Sequence, residues 1–238
     1  MSSHGWLTAR PVAHRGLHDA SRGVIENTRS AVVAAIDAGY AIEVDLQITS
    51  DGEAMVHHDD TLGRLTDGSG RLDGLTARDL ADVGFKATAD RMMTLGELCD
   101  LVAGRATMLL ELKSHRDGDE RLVQRTAETL SRYRGRAGVM SFDPALIASL
   151  RRIAPDVTRG VVAERRPADG EHPPTIAELI RAAPQFVAYS VRDLPAPLPF
   201  AARHGFGLPL LTWTVRSPID RARAARYADQ MIFEGFRP

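Results

Sequence analysis

The 238-residue chain carries a formal net charge of −1, so no global field draws it to nucleic acid or to an acidic membrane surface. Its 44% hydrophobic content suffices for a sizeable core, and the single cysteine, Cys99, excludes an internal disulfide framework and fits a reducing compartment. No apolar run approaches the ~20 residues that span a bilayer, and residues 1–10 lack the pattern of a signal peptide, so the expectation is a soluble cytoplasmic protein that recognises any anionic small-molecule substrate through a local site.

Short apolar, β-rich runs are predicted at 11–13, 41–47, 107–112, 138–141, 158–162, 186–190, 209–215 and 230–233, separated by segments with helix start and stop signals. After the first run, Asn27 or Thr28 caps a helix through Ala38 that places Ala31, Val32, Ala35 and Ile36 on one side, and Gly39 ends it. Asp51-Gly52 is a two-residue hairpin signal between strands at 41–50 and 53–59. That turn pairs Ser50 with Glu53, so Asp45 is expected opposite His58 and Glu43 opposite Asp60, with His57 on the other face from His58. Residues 60–93, with several glycines, few large apolar residues and a Thr76-x-x-Asp79 helix start, read as a small inserted subdomain over the barrel mouth. Thr94-x-x-Glu97 is a capping box ahead of 98–103, and Asp143-Pro144 and Ser217-Pro218 each join an N-cap to a first-turn proline. The stretches 164–174 and 194–199 read as loops. Eight strands, most followed by a helix, predict an α/β fold: a (β/α)8 TIM barrel forming one domain over 1–238, with an extra hairpin strand and the insertion. The rival doubly wound sheet calls for a Gly-rich phosphate fingerprint after its first strand, which Gly16 alone does not supply.

In such a barrel, chemistry sits where strands end, and His14, Asp45, Lys113, Ser141 and Trp213 fall at those positions. Glu43, Asp45 and Glu111 offer hard oxygen ligands suited to Mg²⁺ or Ca²⁺. Arg15 can hold negative charge through paired hydrogen bonds and Lys113 as a point charge, while His14 and His58 titrate in the range useful for proton transfer. Together these are the parts needed to cleave a phosphodiester: cations around the phosphoryl oxygens, a base and an acid. Singly, each has a plainer reading. An isolated His14 suits a hydrogen-bonded core, Glu43-x-Asp45 a solvated sheet edge, and Asn27 a cap or tether. Trp213 suits core packing or a substrate contact, and His18, His57, His115 and His204 are read as structural or surface residues. Independent plain causes rarely set His-Arg, Glu/Asp/His and Glu/Lys at three successive strand ends.

The run Ala13-His14-Arg15-Gly16, Glu26-Asn27-Thr28, Glu43-x-Asp45, Thr49-x-Asp51-Gly52, Val56-His57-His58-Asp59, Arg64-x-Thr66 and Glu111-Leu112-Lys113 resembles, in order and spacing, the glycerophosphodiester phosphodiesterase family over residues 12–115. Ser141-Phe142 and Trp213-Thr214-Val215 agree more weakly. The resemblance implies a TIM-type barrel, one divalent cation on Glu43, Asp45 and Glu111, an acid–base pair of His14 and His58, and phosphate contacts from Arg15 and Lys113. It also implies hydrolysis of a glycerophosphodiester to an alcohol and sn-glycerol 3-phosphate. Either histidine can serve as the base, and the nucleophile is water or the glycerol 2-hydroxyl. Two departures stand out: Arg216 where the family commonly has asparagine after Trp-x-Val, and Phe233-Glu234 where Thr-Asp is usual. Both are expected to leave the catalytic set untouched and to bear on substrate preference. One alternative is a lysophospholipase D-type activity, whose apolar entrance would have to come from Phe85, Met92 and Met93. The other is a non-catalytic barrel that binds a phosphate metabolite, and the presence of both histidines and every metal carboxylate argues against it.

Overall fold

The computed structural model describes residues 4–165 and 173–238. Its strands are β1 (Val12–Ala13), β2 (Ala41–Ile48), β3 (Ala54–Val56), β4 (Gly84–Phe85), β5 (Thr88–Arg91), β6 (Met108–Leu112), β7 (Ala137–Ser141), β8 (Thr158–Ala163), β9 (Phe186–Ser190), β10 (Leu210–Val215) and β11 (Gln230–Phe233). The helices are α1 (Arg29–Asp37), α2 (Ala77–Asp82), α3 (Leu95–Val102), α4 (Arg121–Arg132), α5 (Pro144–Ile153), α6 (Ile176–Ala182), α7 (Pro197–Phe200) and α8 (Pro218–Tyr227). Parallel pairing runs β1-β2-β6-β7-β8-β9-β10-β11, and β11 pairs back to β1, which closes the eight predicted strands into a barrel. β3 stands outside the ring, antiparallel to the upper part of β2 that the short β1 leaves free.

The two faces of each barrel strand carry different chemistry. Outward residues such as Val44, Leu46, Leu110 and Leu112 form one apolar cluster with helix residues including Val32, Ala35, Leu98 and Leu122. The buried positions of α4 (Leu122, Val123, Thr126, Ala127 and Leu130) recur at helical spacing, which gives that helix one face for the barrel. Inward residues Val12, Ala41, Leu109, Met140, Val162, Phe186, Leu211 and Ile232 fill the lower barrel, and Leu7 packs with them. Phe186 takes space left by two glycines: a Cβ added at Gly160 would lie 2.4 Å from its ring, and one at Gly138 would lie 3.4 Å from it. Gly160→Ala is therefore expected to overpack the barrel and destabilise it by about 1–3 kcal/mol. A urea unfolding curve checks this, and an unchanged midpoint would show that the ring swings clear.

Most boundary signals close as expected. Thr94 with Glu97 and Thr76 with Asp79 form complete capping boxes, and the Asp143 and Ser217 side chains cap α5 and α8. Thr28 occupies the N-cap of α1, but its hydroxyl donates to the Ile25 carbonyl at 2.7 Å and caps nothing. Within the expected loop at 194–199, Pro197 opens the short α7 because its fixed φ suits a first helical position. Of the expected loop at 164–174, residues 166–172 lie outside the described residues. The inserted segment holds α2 and the β4–β5 hairpin around its own cluster of Leu62, Leu72, Leu80, Phe85 and Met92, shared with Ile25 and Met55. Burial pushes the Cys99 thiol up to about 11, so this cysteine is a packing residue with little thiolate. No described helix is long and apolar enough to cross a membrane.

The hairpin register differs from expectation by one residue. Leu46 pairs with Val56 and Ile48 with Ala54, which sets His57, and not His58, opposite Asp45. The Thr49 amide donates to the Glu53 carbonyl at 3.0 Å and the Gly52 amide to Thr49 at 3.1 Å, so Ser50, Asp51 and Gly52 form a three-residue loop. Gly52 has φ +83°, the left-handed residue that such a loop requires. The extra loop residue shifts the pairing. β3 ends at Val56, so beyond it His58 is placed by the chain's exit from the sheet and not by strand alternation.

Candidate active site

Three inward carboxylates top the apolar layers. β2 and β6 pair with Asp45 beside Glu111, two residues above the Glu43–Leu109 pair. One oxygen from each of Glu43, Asp45 and Glu111 lies within 4.8 Å of the others, and all three residues are buried. Burial and the like charges of Asp45 and Glu111 push the Glu43 carboxyl well above the usual range. Burial also works against the Asp45 carboxylate, yet Lys113 and Arg15 outweigh it and hold its pKa well below the ordinary value. Lys113 Nζ bridges the cluster, 2.8 Å from Asp45 and 2.5 Å from Glu111. Burial opposes its charge, but those two carboxylates keep the ammonium protonated.

The first strand delivers His14 and Arg15. The His14 amide donates to the Phe233 carbonyl at 3.0 Å, which extends the β1–β11 seam by one residue. Arg15 then turns left-handed (φ +55°) and aims its own amide at Glu43, 2.9 Å away. Gly16 follows at φ +79°, where a Cβ would lie 2.8 Å from Ala31, so both the backbone and the space demand glycine. The Arg15 guanidinium meets Glu26 at 2.7 Å and Asp45 at 3.3 Å. Asn27 is buried and also left-handed (φ +58°); its amide group donates to Asp45 at 2.9 Å, while its side-chain oxygen accepts the Asp45 backbone N–H at 3.3 Å. Asn27 therefore clamps a site carboxylate as well as tethering the loop. Two strained residues on one carboxylate cluster are the pattern of a functional site.

Each candidate histidine is bound through Nδ1 to a carboxylate that an arginine also grips. His58 Nδ1 lies 2.9 Å from Asp59, and Arg64 reaches the two Asp59 oxygens at 2.5 and 3.0 Å. Burial opposes the Asp59 charge, but Arg64 and His58 together hold its pKa at about 2. His14 Nδ1 lies 2.7 Å from Glu234 Oε2, and Arg216 donates to that same oxygen at 2.8 Å. The hydrogen bond from His14, reinforced by Arg216, holds the Glu234 carboxyl well below the usual range. The expectation that Glu234 leaves the catalytic set untouched is thus corrected: it touches His14. His14 Nε2 faces the carboxylate cluster, 3.9 Å from Glu43.

Trp213 is half-buried in the interior wall, edge-on to Phe142 at 5.3 Å, with a buried Nε1 that has no hydrogen-bond partner. Ser141 is structural, its hydroxyl donating to the Leu112 carbonyl at 2.7 Å. His57 is buried near Phe85, with a ring separation of 6.5 Å, and His115 sits among Arg71, Asp73 and Asp60. The sequence assigns no role to Glu26, Asp59 or Arg64, although all three lie inside motifs already noted: Arg64 joins Asp59, five residues before it, to Glu26 on a loop 38 residues away, and only the fold brings that loop near.

The three carboxylates fit a hard divalent cation. Glu43 Oε1 is buried without a hydrogen-bond partner, and the donor set is oxygen alone. A buried trio of carboxylates faced mainly by Arg15 and Lys113 gains a matching charge from such an ion.

Residues 14–236 match the model of the glycerophosphoryl diester phosphodiesterase family. The chain is 29% identical over 163 residues to the glycerophosphodiester phosphodiesterase of Caldanaerobacter subterraneus subsp. tengcongensis, covering 63% of this chain and 65% of that protein. It is 31% identical over 151 residues to glycerophosphodiester phosphodiesterase 1 of Rattus norvegicus, covering 59% of this chain and 44% of that protein. The aligned chain thus spans less than two thirds of either relative. An Oleispira antarctica phosphodiesterase, solved in complex with the product sn-glycerol-3-phosphate, shares the fold at a TM-score of 0.80 and 20% identity, over 94% of this chain and 91% of that one. With a matching family model over nearly its whole length, and the motifs of that family gathered at one barrel mouth, the chain belongs to the glycerophosphoryl diester phosphodiesterase family.

Proposed function

We propose that the protein, as one barrel domain carrying the 60–93 insertion, hydrolyses glycerophosphodiesters to an alcohol and sn-glycerol 3-phosphate. The observation that carries this reading is the pair of Nδ1-anchored histidines at the buried carboxylate trio, His14 with Nε2 3.9 Å from Glu43 and His58 near enough to help lower the Asp45 pKa. Glu43, Asp45 and Glu111 would hold the divalent cation, Mg²⁺ or Ca²⁺. When bound, it supplies charge neutralisation at the phosphoryl oxygens and raises the electrophilicity of phosphorus. Arg15 and Lys113, already turned toward the cluster, add fixed positive charge for the diester anion. The Trp213 Nε1–H, buried without a hydrogen-bond partner, is the donor assigned to the substrate in this reading.

In the proposed reaction His14 Nε2 accepts the proton of the attacking oxygen, and that oxygen forms a bond to phosphorus. The phosphorus–oxygen bond to the alcohol breaks, and His58 gives its Nε2 proton to the departing alkoxide. One histidine begins neutral and the other protonated, so the displacement exchanges their states, and loss of the His14 proton to solvent with uptake of one by His58 restores the starting state. Phe85, Met92 and Met93 are buried in packing and form no apolar entrance, which favours a water-soluble diester over a lysophospholipid. The lone cysteine suits a reducing cytoplasmic setting. Release of sn-glycerol 3-phosphate should be assayed from glycerophosphocholine, glycerophosphoethanolamine and glycerophosphoglycerol with Mg²⁺, with Ca²⁺ and with chelator. Metal-dependent release is expected. Folded protein that is inert toward all three overturns the proposal and leaves a lysolipid substrate or a silent binding barrel.

A further inference from the structure

Arg216 and His14, from opposite ends of the chain, meet on a single carboxylate oxygen of Glu234. Oε2 of Glu234 accepts from Arg216 at 2.8 Å and lies 2.7 Å from His14 Nδ1. The backbone brings them together: β11 pairs with β1 on one side and β10 on the other, and the Glu234 amide donates to the Val215 carbonyl at 3.0 Å. Glu234 therefore stands at the barrel's closing seam, between the ends of β1 and β10.

We propose that Glu234 is a positioning residue for His14, and that Arg216 acts only by holding Glu234 in place. This rests on the reading of His14 as a proton-transfer residue. An ionised carboxylate at Nδ1 keeps the imidazole proton on that nitrogen and leaves Nε2 bare toward Glu43 and the site. The His58 side of the site repeats the device, since Asp59 binds His58 Nδ1 and Arg64 grips Asp59. There the carboxylate is the next residue in the chain; for His14 it arrives from 220 residues away. The glutamate side chain is long, and Arg216 supplies a second contact that restricts it. The Arg216–Glu234 pair is a weak contributor to stability. The Arg216 side chain is 48% exposed, and an ion pair so open to solvent adds little to folding.

The test uses metal-saturated Glu234→Ala, Glu234→Asp, Arg216→Ala and the Arg216→Ala/Glu234→Ala double variant, with glycerophosphocholine as substrate. Glu234→Ala should lower kcat on the order of 10- to 100-fold, the range for a lost partner behind a functional histidine, with little change in KM. Glu234→Asp should recover part of that loss. The double variant should be no slower than Glu234→Ala, because Arg216 has nothing to act through once the carboxylate is gone. Long-range ¹H–¹⁵N spectra of the His14 ring give a readout apart from activity: the neutral ring should carry its proton on Nδ1 in the parent and shift toward Nε2 in Glu234→Ala. An unchanged tautomer, parental kcat in Glu234→Ala, or multiplicative losses in the double variant overturn the proposal. Should Glu234→Ala fail to fold, a parental kcat in Arg216→Ala together with parental kcat in Glu234→Asp overturns it as well. His14→Ala in the same assay separates the two levels. A fully active His14→Ala removes the underlying reading, whereas inactive His14→Ala beside active Glu234→Ala removes only the positioning role.

Discussion

Replacing His14 or His58 by alanine is expected to lower kcat by roughly 10²–10⁴-fold, the span of a lost general acid or base. Both rings are partly exposed at the mouth, with side-chain exposures of 12% and 32%, so neither is a keystone of packing. Thermal midpoints should therefore stay close to that of the parent while turnover collapses. Neighbouring His57 is the control. It is buried at 2% exposure beside Phe85, and burial pushes its pKa down, so His57→Ala should cost stability more than chemistry. A steady-state assay on glycerophosphocholine, paired with a melt, decides between the cases. Near-full turnover in His14→Ala or His58→Ala would remove that histidine from the reaction.

Removing the metal is expected to destabilise the protein as well as silence it. The three carboxylates are buried within 4.8 Å of one another, and their mutual repulsion is only partly offset by Lys113 and Arg15. An ion that binds the folded state alone stabilises it by mass action, about 2.7 kcal/mol at 100 times its Kd. Titrating Mg²⁺ or Ca²⁺ into chelated protein should raise the melting temperature progressively. In Glu43→Gln that metal-induced rise should largely vanish. The metal-free variant should melt no lower than the metal-free parent, because the substitution removes a buried charge that its neighbours repel. A metal-induced rise equal to that of the parent would refute Glu43 as a ligand.

These predictions rest on features of unequal visibility. Local chemistry announced the strands and caps. The apolar runs that became β6 and β9, and the pairs Thr94/Glu97 and Asp143-Pro144, depend on residues within a few positions of one another, and they stand where periodicity and capping place them. The carboxylate trio was equally visible, because strand alternation puts Glu43 and Asp45 on one face and barrel order brings β6 beside β2. The hairpin register was not. Asp51-Gly52 suits a two-residue or a three-residue loop, and hydrogen bonds from Thr49 to Glu53 and from Gly52 to Thr49 select the longer one.

By itself, then, the sequence determined the barrel and the acidic cluster and named His14 and His58 as candidates, since each follows from periodicity or from motifs short enough to read along the chain. Only the tertiary structure decided which face of the hairpin meets Asp45, why Asn27 is buried, and that Glu234 and Arg216 converge on His14. Closing the barrel joins the first strand to the last, and a contact across 220 residues leaves no local pattern by which it could be read.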